Sequence, residues 1–328
     1  MNLVRSGPLA ALLALLLSSA GQAADIEKYL PDDTDMVMAL HVKPVIDSAL
    51  VKRHLPSLAG EYGPAVLLAM QEKSPEIQRA IQANKEDVAR ILRDPAEIDR
   101  FTGFLKDTVS TVVVATNTQG GDANRFFMGI FGDWGRGRVD GVFVLLCLAD
   151  PSQFKMKKLG DQKYYVLKSG NDAPIYFAAP EDGVIILSQA QDVIELGLAR
   201  AAGKSKPALK KDMRTLVKGL DPTKALNLVA VNNQAQITMR GHVAITRDVR
   251  AELTVETADP AIARELAKEA SKGIDSLKEL VAVLAGDNAK LKAFAQTVSR
   301  GTKVSTQGRN LVVSTDVSGK AIDDLLGQ

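Results

Sequence analysis

Cysteine, histidine and tryptophan are scarce in this chain of 328 residues, which has one cysteine, three histidines and one tryptophan. The single cysteine, Cys147, excludes a disulfide within the chain. It lies in the apolar stretch VFVLLCLAD, where we expect a buried thiol acting as a small hydrophobic group. None of the histidines, His41, His54 and His242, has a partner at metal-ligand spacing. The sequence therefore predicts structural histidines and no metal site.

An excess of charge of one sign is also lacking. The chain has 41 lysines and arginines against 39 acidic residues, a formal net charge of +2. Arg5 is the only charged residue before Ala24, so removal of a leader there changes the net charge from +2 to +1. This balance gives no electrostatic reason to expect nucleic acid or an anionic membrane as a partner.

The longest purely apolar run is confined to the start of the chain. Arg5 is followed by PLAALLALLL at residues 8–17, a polar stretch and small residues up to Ala23, which is the layout of a secretory signal peptide. The run is short for a membrane span. We expect residues 1–23 to be a signal peptide, and the remainder to be periplasmic or secreted with no membrane span after leader cleavage. A leader that is retained as an anchor is the alternative.

A near-match to a phosphate-binding loop, GLARAAGKS at residues 197–205, raises the possibility of nucleotide binding. A phosphate loop has four residues between its glycines and precedes a helix. Here five residues separate Gly197 from Gly203, and the pattern DVIELGLARAAG predicts a helix that ends at Gly203 as a left-handed cap. The sequence thus predicts no nucleotide cofactor, and no other cofactor motif is present.

Similar segments recur in the same order along the chain. Residues 35–48 resemble 182–195, residues 111–117 resemble 226–232, and residues 142–154 resemble 251–263. The last pair both contain Ala-Asp-Pro, which we interpret as the end of a strand before a helix. We therefore expect a tandem duplication with halves at 24–181 and 182–328.

Apolar runs of five to eight residues bounded by glycine, asparagine and aspartate predict strands, and short turns between several of them predict largely antiparallel sheets. Helical spacing predicts helices at 75–82, 85–93, 260–286 and 288–300. In the third of these an apolar stripe should lie on a sheet: Ile262, Leu266, Ala270, Ile274, Leu277 and Leu280 or Val281. The fold class expected is α+β. The predicted strands are 36–42, 110–117, 125–132, 139–149, 163–168, 174–179, 183–188, 225–232, 239–246, 249–257, 302–307 and 309–317.

The segment FGDWGRGRVDG at residues 131–141 contains the candidate ligand-binding residues. It brings Trp134 next to Arg136 and Arg138 among four glycines, and an aromatic ring with two guanidinium groups can grip a carboxylate, a sulfate or a sugar face. A plain hairpin connection between two strands is the simpler interpretation, because such a loop requires glycines in any case.

Catalytic patterns are weak. Ser152 and Lys155 have the Ser-x-x-Lys spacing of penicillin-interacting serine enzymes, but the remaining motifs of those enzymes do not follow at usable distances. No Gly-x-Ser-x-Gly turn is present to hold a nucleophile. Asp32, Asp33 and Asp35 lack the ligand pattern of a calcium loop and indicate a turn before a strand. We therefore expect no catalytic residues and no metal ligands.

Residues 29–56, YLPDDTDMVMALHVKPVIDSALVKRHLP, resemble the opening of a family of exported bacterial proteins of unknown function, in which Leu-Pro-Asp-Asp-Thr leads into a strand and then a helix. The resemblance implies export and an α+β fold, and it implies no activity. The sequence favours a non-enzymatic protein that binds a small ligand or a partner in the bacterial envelope. Two alternatives stay open: a hydrolase whose residues, such as His41, His242 and Ser152, are dispersed in sequence, and a carrier of an apolar ligand.

Overall fold

A computed structural model describes residues 25–55, 94–119, 125–168, 173–284 and 288–326. The described helices and strands form two compact units. The first contains the described residues of 25–34 and 51–209, and the second those of 35–50 and 210–326. The strands are β1 Met36–His41, β2 Val109–Thr116, β3 Phe127–Gly132, β4 Phe154–Leu159, β5 Gln162–Leu167, β6 Ile175–Ala178, β7 Val184–Ser188, β8 Leu226–Asn232, β9 Ile237–Ile245, β10 Val249–Glu256, β11 Lys303–Gln307 and β12 Asn310–Val317. The helices are α1 Val42–Asp47, α2 Pro95–Thr108, α3 Arg136–Ala149, α4 Gln191–Ala201, α5 Lys211–Lys218, α6 Pro260–Leu284, α7 Ala289–Gly301 and α8 Gly319–Leu326.

The first unit contains an antiparallel sheet in the order β2-β3-β7-β6-β5-β4. Helix α3 connects β3 to β4, and the chain then returns as a meander until β7 lies beside β3. Phe143 of α3 packs edge-on against two sheet residues, with ring centroids 5.0 Å from Tyr165 and 4.6 Å from Phe177. Helix α3 therefore covers one face of the β5–β6 region.

The Leu-Pro-Asp-Asp segment is fixed to the C-terminal end of α4. The side chain of Arg200 is fully buried, with one guanidinium nitrogen donating to the carbonyl of Leu30 and another to the carboxylate of Asp32. Asp32 also accepts a hydrogen bond of 2.8 Å from the backbone N–H of Ala208. The Leu-Pro-Asp-Asp segment is thus held to a part of the chain 168 residues away. We call the contact between Asp32 and Arg200 the tether.

The second unit has a sheet in the order β1-β8-β9-β10-β12-β11, and its pairs are also antiparallel. Helices α6 and α7 connect β10 to β11, and the β11–β12 hairpin returns so that β12 pairs with β10. Helix α5 packs on β8 with Met213, Leu216 and Val217 buried. The fold is therefore α+β with antiparallel sheets, as the sequence predicted.

The strand predicted at 139–149 is wrong, because these residues belong to helix α3. An apolar run without polar interruption fits a buried strand or a buried helix equally well by periodicity, and length decides between them. The helix begins after Gly135, and the carboxylate of Asp182 accepts the backbone N–H of Arg136 at 2.6 Å, which satisfies one free amide of the first turn. The expectation of a helix after Asp150-Pro151 is also wrong, since the side chain of Asp150 caps a turn that enters β4.

Most other strand predictions agree with the structure to within about two residues, whereas β4 was not predicted. The two helices predicted at 75–82 and 85–93 lie outside the described residues. Helices α6 and α7 are found where the sequence placed them. Asp259 accepts the backbone N–H groups of Ala261 and Ile262 at the start of α6, as an N-cap does.

The predicted duplication, with halves at 24–181 and 182–328, stays a prediction. Two of the three sequence matches pair strand with strand, β1 with β7 and β2 with β8. The third pairs helix α3 with strand β10, so that match is wrong. Both units connect two runs of antiparallel strands through helical segments, which is consistent with a repeat of one plan.

The glycine motif at 197–205 has the role expected of a helix end. Gly203 has a φ of +70°, its N–H donates to the carbonyl of Arg200, and the N–H of Lys204 donates to the carbonyl of Ala199. This pair of hydrogen bonds is the Schellman motif, which closes a helix at a left-handed glycine. The segment terminates a helix, whereas a phosphate loop starts one.

Candidate functional site

The two faces of the second unit's sheet differ in chemical character. Side chains alternate between the faces along each strand, and the pairing aligns Leu228, Gly241, Leu253 and Val313 in one row across four strands. This row and its neighbours on the same side are almost entirely hydrocarbon, and we call this side the apolar face. Its central members are Leu226, Leu228, Ala230, Met239, Gly241, Val243, Ala251, Leu253, Val255, Leu311, Val313 and Thr315.

A cavity of about 240 Å³ opens on the apolar face. Gly241 lies at its floor, because a Cβ there would lie 3.2 Å from Cδ1 of Leu253 and 3.7 Å from Cβ of Leu228. An apolar cavity of about 150 Å³ is enough to stay dry and bind benzene. This cavity therefore has room for a somewhat larger apolar group. Its lining residues on the apolar face are Leu226, Leu228, Val243, Ala251, Leu253, Val313 and Thr315. His242 and Glu252 also border the cavity, with side chains that alternate to the other face.

Helix α7 covers one side of the apolar face. The hydroxyl of Thr302, just after α7, lies 2.9 Å from the hydroxyl of Thr315 on β12. Helix α6 packs against β11 and β12, as its apolar stripe predicted. Four stripe residues have described side chains and are half-buried: Ile262, Leu266, Ala270 and Ile274. Met38 and Leu40 of β1 are exposed at the other side of this face. The cover is therefore partial.

The opposite face of the same sheet is polar and borders a cleft of about 570 Å³. Arg240, His242 and Glu252 from β9 and β10 line it together with Asp221 and Lys224 from the turn before β8. Charged groups of both signs are present, and solvent reaches most of them. The cleft holds acid and base side chains, and its hydroxyls are those of threonines.

Asp221 contributes a carboxylate to this cleft. Its turn is held by Asn227, which accepts the backbone N–H of Asp221 and donates to its carbonyl at 2.9 Å. Hydrogen bonds from the hydroxyl and backbone N–H of Thr223 hold the pKa of Asp221 below its usual range. Burial lowers the pKa of His41, and the charge of Asp221 partly opposes that shift. The net effect is a lowered pKa, which favours the neutral form of His41 in the folded chain.

The candidate ligand-binding residues lie at the start of α3 and not in a hairpin loop. Trp134 is only 2% exposed and packs with Val139 and Ala179. Arg136 lies 3.8 Å from the carboxylate of Asp140 one turn along the helix. Arg138 is exposed on the outer side of α3. The loop expectation is therefore wrong, while ligand binding by Trp134, Arg136 and Arg138 stays a prediction.

The weak catalytic patterns do not assemble within the described residues. Ser152 lies in the turn after α3 and bonds to Asp150, whereas Lys155 lies in β4, so the two are not one helical turn apart. Among the described side chains no group of three or more histidine, cysteine, aspartate or glutamate residues is placed to hold a metal ion.

The cavity on the apolar face was missed at the level of sequence, although a signal was present. Strand β9 alternates Met239, Gly241, Val243 and Ile245 on one face, and a glycine inside a strand often marks a site where a ligand or another backbone approaches closely. Gly241 leaves a position without a side chain in the middle of an apolar row. A glycine within an apolar strand face indicates a ligand site more specifically than the glycines of the 131–141 segment do.

Fold and site together define an α+β protein of two sheet units, one of which carries an apolar cavity on a partly covered sheet face. No family model matches the chain, and no curated protein matches it. Among solved structures it is similar to TP0453 in crystal form III, at 10% identity over 93% of this chain and 98% of that one, with a TM-score of 0.43. Crystal form I of TP0453 gives 10% identity over 93% and 97%, with a TM-score of 0.44. Similarity at this level carries no inference about function.

Proposed function

We propose that this chain is a non-enzymatic binding protein of the bacterial envelope whose second unit holds an apolar ligand, such as an acyl chain. The observation that carries the proposal is the cavity of about 240 Å³ on the apolar face. On the apolar face its lining side chains are hydrocarbon apart from Thr315. His242 and Glu252 also border the cavity, but their side chains alternate to the opposite face of the sheet. Apolar contact is the only recognition it provides.

The affinity for such a ligand should follow its apolar length. Transfer of one methylene from water into an apolar site contributes about 0.8 kcal/mol, which is roughly a fourfold change in Kd. The proposal therefore predicts that Kd falls by about fourfold for each added methylene and stops falling once the cavity is full. Such a plateau measures the usable volume, and a surface without a cavity would not produce it.

The test is displacement of the uncharged fluorophore N-phenyl-1-naphthylamine by straight-chain alcohols of increasing length. Ala251→Phe places a ring in the cavity, because Ala251 lies on the apolar face beside Leu253. Arg250→Phe is the matched control, since the neighbouring residue is exposed and points to the other face. We expect Ala251→Phe to weaken alcohol binding by more than about tenfold and Arg250→Phe to leave it unchanged.

Two results would contradict the proposal. One is a Kd that does not depend on alcohol length. The other is an equal loss of binding in the two phenylalanine variants, which would place the bound alcohol away from the apolar face. Circular dichroism of both variants checks that the sheet is retained before either result is interpreted.

A further inference from the structure

Helix α3 of the first unit is apolar on both of its sides over its second half. Val142, Phe143 and Leu146 face the sheet or are at least partly covered, while Leu145 and Leu148 on the other side are 57% and 73% exposed. A helix that is apolar all round is normally buried, in a large core or in lipid. With 14 residues α3 is too short to cross a bilayer. Among the described residues nothing covers Leu145 and Leu148, which stay exposed on this side of α3.

Two lysines form an unfavourable pair beside this helix. Lys158 of β4 and Lys163 of β5 are direct partners in the antiparallel pairing, and like charges at such positions repel each other. Among the described residues neither lysine has a carboxylate partner, and Asp161 in the connecting turn pairs with neither. An anionic surface would relieve this repulsion.

The lysine pair lies on the same face of the sheet as α3. The hydroxyl of Tyr165 lies 3.2 Å from the carboxylate of Asp140 in α3, which fixes the helix over the sheet face that carries Tyr165. Met156 is the partner of Tyr165, points to the same face and is exposed. The lysine pair follows two residues further along the hairpin on that face. Exposed Met156 thus lies next to the lysine pair on the sheet face over which α3 packs.

We propose that this surface docks onto an anionic lipid membrane. We name it the α3 docking surface and define it as Leu145, Leu148 and Met156 with Arg138, Lys158 and Lys163. The three apolar side chains enter the interface between headgroups and acyl chains, and the three cations lie at the level of the lipid phosphates.

Membrane fits this surface better than a protein partner does. Lysine is depleted at protein–protein interfaces, whereas lysines beside exposed leucines are typical of segments that lie in a membrane interface. None of the described helices is both long and apolar enough to span a bilayer. The attachment proposed is therefore peripheral and reversible, and it is sensitive to salt.

The test is co-sedimentation with vesicles of phosphatidylcholine alone or with about one third phosphatidylglycerol, using the chain without residues 1–23, which precede every described residue. Removal of one lysine near an anionic surface should weaken binding by about fivefold. We expect Lys158→Gln with Lys163→Gln to weaken binding by about 25-fold. Leu148→Asp should weaken binding by more than about tenfold. Because Leu148 is exposed, this variant should fold as the unaltered chain does.

The matched control is Lys268→Gln with Lys292→Gln, which removes the same charge from exposed positions in α6 and α7. We expect the control variant to bind anionic vesicles as the unaltered chain does. Neither of these two chains should bind vesicles of phosphatidylcholine alone. Equal losses in the two double variants would overturn the proposal, because they would show an effect of net charge alone. Absence of vesicle binding accompanied by self-association through Leu148 would overturn it in favour of a second copy of this chain.

Discussion

The tether between Asp32 and Arg200 gives the sharpest test of the fold. Replacement of Asp32 by alanine leaves the guanidinium of Arg200 buried, with Leu30 as its remaining acceptor. Breaking a fully buried ion pair costs about 3–5 kcal/mol. The side chain of Asp32 is 45% exposed, so solvent screens part of this interaction. With the lost bond to Ala208 included, we expect a loss of about 2–3 kcal/mol in the free energy of unfolding.

Urea unfolding followed by tryptophan fluorescence reports on the unit of the fold that contains the tether. Trp134 is the only tryptophan of the chain and lies buried in the first unit, as does the tether. With an m-value of about 3 kcal/mol per molar urea, the midpoint should fall by about 1 M. Asp33→Ala is the matched control, since Asp33 is equally exposed at 45% and lies 3.9 Å from the partly exposed Arg125. That exposed pair contributes less than about 1 kcal/mol. Equal midpoints for Asp32→Ala and Asp33→Ala would refute the role assigned to Arg200.

Two further predictions concern a close contact and a buried histidine. A Cβ at Gly132 would lie 1.9 Å from the carbonyl oxygen of Thr108, so Gly132→Ala should destabilise the first unit by at least about 3 kcal/mol in the same fluorescence assay. Gly135→Ala, where a Cβ meets nothing within 4 Å, should cost less than about 1 kcal/mol, and similar losses would contradict the contact. Burial lowers the pKa of His41, so below about pH 6.5 the unfolded chain binds a proton that the folded chain does not. The stability contributed by neutral His41 is then complete above that pH and is lost below it. Between about pH 7.5 and about pH 5.5 the Tm should fall less in His41→Asn than in the unaltered chain, and parallel curves would show that His41 does not titrate as argued.

Local patterns predicted the strands of this fold well because most of them are short apolar runs closed by turn residues. Strand β4, FKMKKL, was missed because three of its six residues are lysines and the alternation of apolar and polar residues breaks at Lys158. It is a strand through its pairing with β5. Helix α3 was mistaken for a strand because its sequence has too few polar residues, whereas β4 has too many. The run VFVLLCLA of α3 has no polar face to reveal a helical period, and tertiary packing of Phe143 decides its conformation.

The candidate site was harder to predict than the fold. Trp134 beside two arginines is typical of a ligand loop, yet the indole packs into the core, and the glycines around it allow a close approach between Gly132 and Thr108. The cavity on the apolar face needs side chains from four strands that are up to 89 residues apart between Leu226 and Thr315. Alternation within one strand predicts which residues share a face, but it does not predict which strands become neighbours.

The charge balance of the whole chain hides the feature on which the docking proposal rests. A net charge of +2 argues against an anionic partner only if the charges are mixed over the surface. In the β4–β5 hairpin they are not mixed, because Lys158 and Lys163 face each other without a carboxylate. The apolar cavity belongs to the second unit and the α3 docking surface to the first, so the two proposals can fail separately. Ala251→Phe should leave vesicle binding unchanged, and Lys158→Gln with Lys163→Gln should leave alcohol binding unchanged. A variant in either set that lost both activities would show that ligand and membrane compete for one site, and both assignments would then be wrong.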